Sequence, residues 1–171
     1  MRKRKRYCRF FRKRHQKAQT LKLRYSKAEG SIDQICEKLE GHQVQLLKDS
    51  GKNVLSYKCG PDYIDPMFHK TVIGTAAYNL DTYLMSNDAV NYLLNKNSGD
   101  IAVIEGVMGF YDGFSFTEKG STHELSEITD TDVILVVNCR GMSLSAMALV
   151  KGFKEFRKNN IKGVIFNNLS E

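Results

Sequence analysis

The sequence has no apolar run that approaches the roughly 18 residues of a membrane-spanning helix. Its first apolar stretch, residues 8–11, is short and interrupted by Arg9, which excludes the core of a signal peptide. The four cysteines lie far apart, without a Cys-x-x-Cys pair or a histidine at ligand spacing, so neither a disulfide framework nor a zinc site is expected. These absences favour a soluble, cytoplasmic protein, and a hydrophobic content of 42% in 171 residues is too high for a disordered chain.

Acidic residues are nearly missing from the first 30 positions. This head holds 13 lysines and arginines against one acid, Glu29, which gives it a charge of +12. The other 141 residues hold 13 basic and 18 acidic side chains, a net charge of −5. The overall charge of +7 therefore describes the head and is no evidence that the remainder binds nucleic acid. We predict a basic, disordered head over residues 1–30 and a folded body over residues 31–171.

From Ser31 onward, helical and strand-like periods alternate along the chain, which predicts an α/β domain. Short runs rich in β-branched residues predict four buried strands of a parallel sheet, at residues 53–58, 101–105, 132–138 and 162–166. Apolar residues at helical spacing predict three helices, at residues 31–51, 78–96 and 142–158. The second helix has a break near Ser86 and a buried face formed by Leu80, Leu84, Val90, Leu93 and Leu94.

Polar residues follow the ends of these predicted strands. Asp62 follows the first strand, Glu105 ends the second, Asn138 and Arg140 mark the third, and Asn167 follows the fourth. In open parallel sheets, ligands bind in the crevice outside the carboxyl ends of the strands. We therefore expect these residues to converge on one site.

Two stretches carry most of the candidate chemistry. Residues 58–69 (KCGPDYIDPMFH) hold both prolines of the chain and two carboxylates three residues apart. They form either a ligand-binding loop or a turn-rich connection whose acids accept hydrogen bonds from backbone amides. In residues 103–113 (VIEGVMGFYDG) a carboxylate ends an apolar strand and three glycines follow. This arrangement suits a loop that closes around a ligand or hydrated Mg²⁺, and the alternative is a solvated glutamate beside tight turns.

Together, these stretches resemble the cobyrinic acid a,c-diamide synthase family. The family's order and spacing are followed by the motifs at residues 60–69, 79–81, 103–113, 120–122, 129–130 and 140–143, within residues 46–170. The resemblance implies a three-layer α/β fold with a mostly parallel sheet, of the P-loop NTPase and dethiobiotin-synthetase-like type, incomplete at its N-terminus. It also implies an ATP-dependent amidoligase that converts the a and c carboxylates of cobyrinate to carboxamides, with glutamine or ammonia as the nitrogen source. Residues 31–171 would then be a partial nucleotide-binding domain.

The resemblance also implies roles for individual residues. Asp62 and Glu105 would hold Mg²⁺, and Asn167 would contact the adenine of ATP. The substrate side would be formed by Tyr63, Ile64, Asp65 and Asp112, with Asp112 and Glu105 as the catalytic pair. Of the histidines, His69 is either a hydrogen-bonding loop residue or a substrate contact, and His123 is expected to be a solvated surface residue. Cys59 is not expected to be the glutaminase nucleophile, because the family carries that thiol in a separate downstream domain.

The family's phosphate-binding loop, G-x-x-x-x-G-K-[ST], is missing from the sequence. Residues 26–41 (SKAEGSIDQICEKLEG) contain glycines but no lysine followed by a hydroxyl residue at that spacing. We therefore expect an N-terminal fragment, with an altered start and without the glutaminase domain, that is impaired or inactive alone. The alternative is a non-enzymatic module whose basic head, residues 1–30, binds nucleic acid. A homodimer is left open.

Overall fold

The structure is a computed structural model that describes residues 5–10, 19–24, 44–97 and 99–169. The chain divides into a terminal unit, Met1–Ile32 with Thr131–Glu171, and a central unit, Asp33–Asp130. Parallel strands alternate with helices in the described residues, which confirms the predicted α/β class. The boundary predicted at residue 30 stays a prediction.

The described residues form strands, helices and two short helical turns. The strands are β1 (Lys5–Phe10), β2 (Gln19–Arg24), β3 (Val54–Cys59), β4 (Ala77–Leu80), β5 (Ile101–Glu105), β6 (Val133–Asn138) and β7 (Ile161–Asn167). The helices are α1 (residues 44–49), α2 (Ile64–Phe68), α3 (Asn87–Lys96), α4 (Thr122–Ile128) and α5 (Ser145–Phe156). A π-helical turn at His69–Ile73 continues α2, and a 3₁₀ turn lies at Phe114–Phe116.

The central unit is built on a three-stranded parallel sheet in the order β4-β3-β5. Lys58 of β3 pairs in register with Asn79 of β4 and with Glu105 of β5. Residues paired in this way point to the same face of a sheet, because successive side chains alternate between faces. The register therefore places three polar residues side by side at the carboxyl ends of the strands.

The opposite face of the same sheet forms the apolar core of the central unit. Leu55, Tyr57 and Cys59 alternate with the polar residues of β3 and are each at most 5% exposed. The buried residues that complete this cluster are Leu80, Val90, Leu94 and Leu125, from β4, α3 and α4. Ser56 and Lys58 of β3 thus lie on the sheet face that points away from this cluster.

The helix predicted over residues 78–96 is wrong in its first half. Residues Ala77–Leu80 form β4, and α3 begins only at Asn87, where the Ser86 side chain accepts a hydrogen bond from the amide of Ala89. Between these elements, the Asp81 carboxylate accepts hydrogen bonds from the amides of Tyr83 and Leu84. Such local side-chain bonds to the backbone compete with helix formation. The predicted break near Ser86 is therefore confirmed as the start of the helix.

The described residues of the terminal unit form two separate pairs of strands. In the parallel pair β6 and β7, connected through α5, Asn138 stands in register with Asn167. In the antiparallel pair β1 and β2, Lys5 stands in register with Arg24. The sequence predicted disorder for residues 1–30, whereas the structure has these two paired strands there. The other residues of the head, and residues 31–43 of the first predicted helix, lie outside the described residues.

No helix within the described parts of the chain combines the length and the apolar character that a membrane crossing requires.

Candidate functional site

Three carboxylates converge on one lysine at the carboxyl ends of β3 and β5. The Lys58 Nζ atom lies 2.6 Å from Asp65 Oδ2, 2.6 Å from Glu105 Oε1 and 3.7 Å from Asp62 Oδ2. The side chains of Lys58, Asp65 and Glu105 are only 12%, 12% and 7% exposed. We call these four residues the Lys58 cluster. Each of the three acids was assigned a role from the sequence, whereas Lys58, the first residue of the stretch 58–69, was given none.

The turn after β3 brings the two aspartates back toward Lys58. Gly60 adopts the positive φ of 81° that glycine tolerates, and the chain then reverses at Pro61. The Asp62 Oδ1 atom accepts a hydrogen bond of 2.9 Å from the amide of Ile64, which starts α2. Asp65 lies in the first turn of that short helix and reaches the lysine from there.

Asn79 holds the same turn from the neighbouring strand. Its Nδ2 atom donates a hydrogen bond of 2.5 Å to the main-chain oxygen of Asp62. Because Asn79 is paired in register with Lys58, the turn is tied to β4 at the level of the lysine. This contact links the family motif at residues 79–81 to the position of Asp62.

Glu105 reaches the cluster through strand pairing, and a second contact fixes the loop that follows it. The amide of Val107 donates a hydrogen bond of 2.9 Å to Thr122 Oγ1 at the start of α4. A Cβ atom on Gly106 would lie 2.8 Å from the same oxygen, so a larger residue there would push the Thr122 side chain away from this contact. The contacts with Thr122 therefore fix the course of the backbone directly after Glu105.

The electrostatics of the cluster favour the charged forms of Lys58 and Asp65. Burial alone would lower the pKa of Lys58, but hydrogen bonds to Asp65 and Glu105 outweigh it and hold the pKa above its ordinary value. Burial likewise opposes ionisation of Asp65, but the bond and charge of Lys58 outweigh it and lower the pKa of that carboxyl. With three carboxylates and one ammonium, the cluster has a formal charge of −2.

The donor set of the cluster fits a magnesium ion. Mg²⁺ prefers carboxylate oxygens and is usually held by one or two of them, together with water and substrate phosphates. A formal charge of −2 matches one divalent ion. In the described part of the chain, no three Asp, Glu, His or Cys side chains are arranged to hold an ion by themselves. One or two protein ligands, as expected for Asp62 and Glu105, suit this geometry.

The other predicted site residues are distributed over both units. Tyr63 and Ile64 follow Asp62 directly and are 85% and 71% exposed. Asp112 lies in the loop after Glu105, where its amide donates a hydrogen bond of 2.9 Å to Gly109 O. Asn167 ends β7 in the terminal unit. The structure thus brings Asp62, Asp65 and Glu105 together, and it leaves the roles of Tyr63, Ile64, Asp112 and Asn167 as predictions.

His69 is a buried residue of the π-helical turn that continues α2. Its Nδ1 atom lies 2.6 Å from Ser56 Oγ in β3, and its main-chain oxygen accepts a hydrogen bond from the amide of Thr75. Of the two interpretations left open by the sequence, this geometry favours a hydrogen-bonding role. Ser56 precedes Lys58 by two residues on the same face of β3, so the contact anchors the segment that carries Asp65.

We expect His69 to make the fold sensitive to acid. Burial lowers the pKa of His69 below its usual 6.5, so the unfolded chain binds the proton at a higher pH than the native state does. Its contribution to the free energy of unfolding is therefore complete above about pH 6.5 and is lost as the pH falls toward the lower native pKa. Urea denaturation at about pH 7.5 and at about pH 5.5 should show that the free energy of unfolding falls more in the wild type than in His69→Gln. Equal losses in both proteins would contradict this assignment.

His123 is buried, which contradicts its prediction as a solvated surface residue. The side chain is 4% exposed, and its ring lies 4.8 Å from the Tyr111 ring and 5.5 Å from the Phe110 ring, between centroids. The amide of His123 donates a hydrogen bond of 2.9 Å to Phe110 O, which holds the start of α4 against the loop that follows Glu105. Long-range contact with that loop, which local sequence does not reveal, accounts for the burial.

Cys59 is the last residue of β3 and is 1% exposed, so it does not lie in a loop as the sequence suggested. Burial raises the pKa of its thiol to about 11. A thiol that stays protonated at neutral pH is a poor nucleophile. This environment agrees with the interpretation that Cys59 is not the glutaminase nucleophile.

Comparison with known proteins identifies the segment that carries this site. The chain is 46% identical over 127 residues to a cobyrinate a,c-diamide synthase of Priestia megaterium, a match that covers 72% of this chain and 28% of the relative. It is 48% identical over 119 residues to the synthase of Sulfolobus acidocaldarius, covering 68% of this chain and 27% of the relative. The synthase of Methanocaldococcus jannaschii is 46% identical over 118 residues, covering 67% and 27%.

No protein-family model matches the chain, and no solved structure matches it significantly. The chain spans a little over a quarter of the length of these curated relatives. Over the aligned residues, these three synthases, one bacterial and two archaeal, are 46% to 48% identical to it. The chain therefore belongs to the cobyrinate a,c-diamide synthase family.

Proposed function

We propose that this chain forms the metal- and substrate-handling part of an ATP-dependent amidoligase, which converts the a and c carboxylates of cobyrinate to carboxamides. The observation that carries the proposal is the convergence of Asp62, Asp65 and Glu105 on Lys58 at the carboxyl ends of adjacent parallel strands. This is the edge at which open α/β sheets bind their ligands. The parallel order β4-β3-β5 also supports a three-layer sheet of the P-loop NTPase and dethiobiotin-synthetase-like type.

Asp62 and Glu105 are the residues proposed to hold Mg²⁺. When bound, Mg²⁺·ATP supplies the phosphoryl group that activates a substrate carboxylate for attack by ammonia, which is released from glutamine or taken up free. Glu105 is held by strand pairing, and Asp62 is held by the amide of Ile64 and by the contact of Asn79 with its main-chain oxygen. Ligands fixed in advance of binding lower the cost of organising the reacting groups.

The start of α2 is proposed to bind the corrinoid beside the metal. Tyr63 and Ile64 offer exposed apolar surface directly after Asp62, which suits the apolar face of a macrocycle. Asp65 lies at the inner end of this surface, where it orients the substrate carboxylates relative to Lys58. Asp112, in the loop after Glu105, acts with Glu105 on the catalytic side. Asn167, at the end of β7, is proposed to contact the adenine edge.

Calorimetric titration with ATP and Mg²⁺, and separately with cobyrinate, tests the proposal. We expect saturable ATP binding that requires Mg²⁺ and weakens at least about tenfold in Glu105→Gln, which is about 1.4 kcal/mol. This substitution keeps the shape of the side chain and removes its negative charge. Glu155→Gln is the matched control, because Glu155 is exposed on α5 and pairs with Lys151 at 3.9 Å across the helix surface.

The proposal fails if the wild type shows no heat with ATP up to about millimolar concentration, or if the two glutamine variants bind Mg²⁺·ATP equally well. Binding of cobyrinate is expected in a separate titration. It should weaken in Tyr63→Ala, which reduces the exposed apolar surface at the start of α2. Retention of full cobyrinate affinity by Tyr63→Ala would contradict the placement of the substrate beside α2.

A further inference from the structure

We propose that Lys58 is the resident cation of its cluster and that a divalent ion binds by displacing the lysine ammonium from Glu105 and Asp62. The inference rests on the proposed function, because it concerns the ion assigned to those two carboxylates. It assigns a role to a residue to which the sequence motifs gave none. The role follows from the position of Nζ, within 4 Å of all three carboxylates.

The geometry leaves little room for both cations on the same oxygens. The Lys58 ammonium is 2.6 Å from Glu105 Oε1, a distance typical of a charge-assisted hydrogen bond. An ion bound to that carboxylate would lie within about 5 Å of the ammonium. At such a distance, a divalent and a monovalent cation repel by several kcal/mol at the effective dielectric constant of a protein surface. Binding of the ion and retention of the lysine on Glu105 therefore oppose each other.

Asp65 provides the position to which the lysine moves. Its Oδ2 atom lies 2.6 Å from Nζ, and Asp65 is not one of the two residues assigned to the ion. The flexible four-carbon stem of lysine allows the ammonium to swing without moving the backbone of β3. With the ion in place, Lys58 keeps Asp65 and faces the exposed side of α2. The positive charge of the Lys58 ammonium then lies where the carboxylates of the substrate are proposed to bind.

The test measures binding of Mn²⁺ alone to the full chain, without nucleotide or corrinoid, through the electron paramagnetic resonance signal of free Mn²⁺. Lys58→Met keeps much of the stem and removes the charge. We expect it to bind Mn²⁺ at least about tenfold more tightly than the wild type, because the competing cation is gone. Lys58→Arg keeps the charge and should bind no more tightly than the wild type. Affinity in Lys58→Met that is unchanged or weaker overturns the inference.

Lys70→Met is the matched control for a lost positive charge. Lys70 is exposed in the π-helical turn close in sequence to the cluster. Its replacement should change Mn²⁺ affinity by less than about twofold, because solvent and salt screen exposed charges. An equal gain in Lys58→Met and Lys70→Met would show that net charge, and not displacement at the cluster, determines affinity, and would overturn the inference.

A second pair of variants covers the case in which Lys58→Met does not fold. Removing the lysine alone leaves three carboxylates close together, a strongly destabilising arrangement. The double variant Lys58→Met with Asp65→Asn restores the formal charge of −2. It should bind Mn²⁺ more tightly than Asp65→Asn alone, and equal affinities overturn the inference.

Glu105→Gln separates the two proposals. If it abolishes Mn²⁺ binding while Lys58→Met does not tighten it, only the inference about Lys58 fails. If Glu105→Gln leaves Mn²⁺ binding unchanged, the metal assignment in the proposed function fails and the inference fails with it.

Discussion

Replacement of Leu80 by alanine is expected to lower the free energy of unfolding by about 2 to 5 kcal/mol. Leu80 is 0% exposed and ends β4, where it pairs in register with Cys59 and belongs to the core cluster that includes Val90 and Leu94. Removing three carbon atoms there forfeits the burial of the side chain and leaves a cavity that neighbouring strands can close only in part. Urea denaturation followed by far-ultraviolet circular dichroism measures the loss.

Leu84→Ala is the matched control for this experiment. The helix predicted over residues 78–96 places Leu80 and Leu84 on one buried face, whereas Leu84 is 69% exposed in the structure. Its replacement should therefore change stability by less than about 0.5 kcal/mol. Similar large losses in both variants would favour the helix over the strand β4. A large loss in Leu80→Ala alone supports the strand and the turn at Asp81.

Gly113→Ala is expected to destabilise the central unit by about 3 kcal/mol or to unfold the loop that follows Glu105. A Cβ atom at this position would lie 2.3 Å from Lys119 O and 2.6 Å from Thr117 O. Both contacts are with backbone atoms, which cannot swing away as a side chain can. The amides of Gly113 and Phe114 also donate hydrogen bonds to Thr117 O and Lys119 O, so relieving the clash would break the bonds that close the loop.

Gly152→Ala provides the comparison at a site without steric conflict. Gly152 lies inside α5, and a Cβ atom there would meet nothing within 4 Å. Alanine costs less backbone entropy than glycine in a helix, so this variant should gain about 0.5 to 1 kcal/mol. Opposite signs for the two variants are expected in thermal melts followed by circular dichroism. A Gly113→Ala protein as stable as the wild type would contradict the closed loop of residues 113–119.

The sequence predicted the strands correctly where a single segment carries a strong apolar signal. The strand at residues 101–105 is confirmed without change, and β3, β6 and β7 begin and end within one residue of their predicted limits. β4 was missed because it has four residues and precedes a segment with helical spacing. The short α2 and α4 were missed for a related reason, since helices of five and seven residues span too few turns to show a helical period.

The sequence assigned roles to the acids of the candidate site and none to its lysine. Asp62 and Glu105 lie at the carboxyl ends of strands, which is where open parallel sheets bind their ligands. Lys58 becomes central only through the register of β3 with β5, which the sequence alone does not determine. A usable signal was present, because Lys58 is the one charged residue in a strand of otherwise buried residues, VLSYKC. A charged residue in such a strand is rarely tolerated without a partner.

The pairing of Lys58 with Glu105 across adjacent strands also determines where the chain can change in length. Because side chains alternate between the two faces of a sheet, one residue inserted into or deleted from β5 would turn Glu105 toward the apolar core and turn Ile104 toward the lysine. Insertions in the loop that follows, by contrast, would leave this pair untouched. Among natural variants of this segment, differences in length are therefore expected to fall between strands and to spare the five residues of β5.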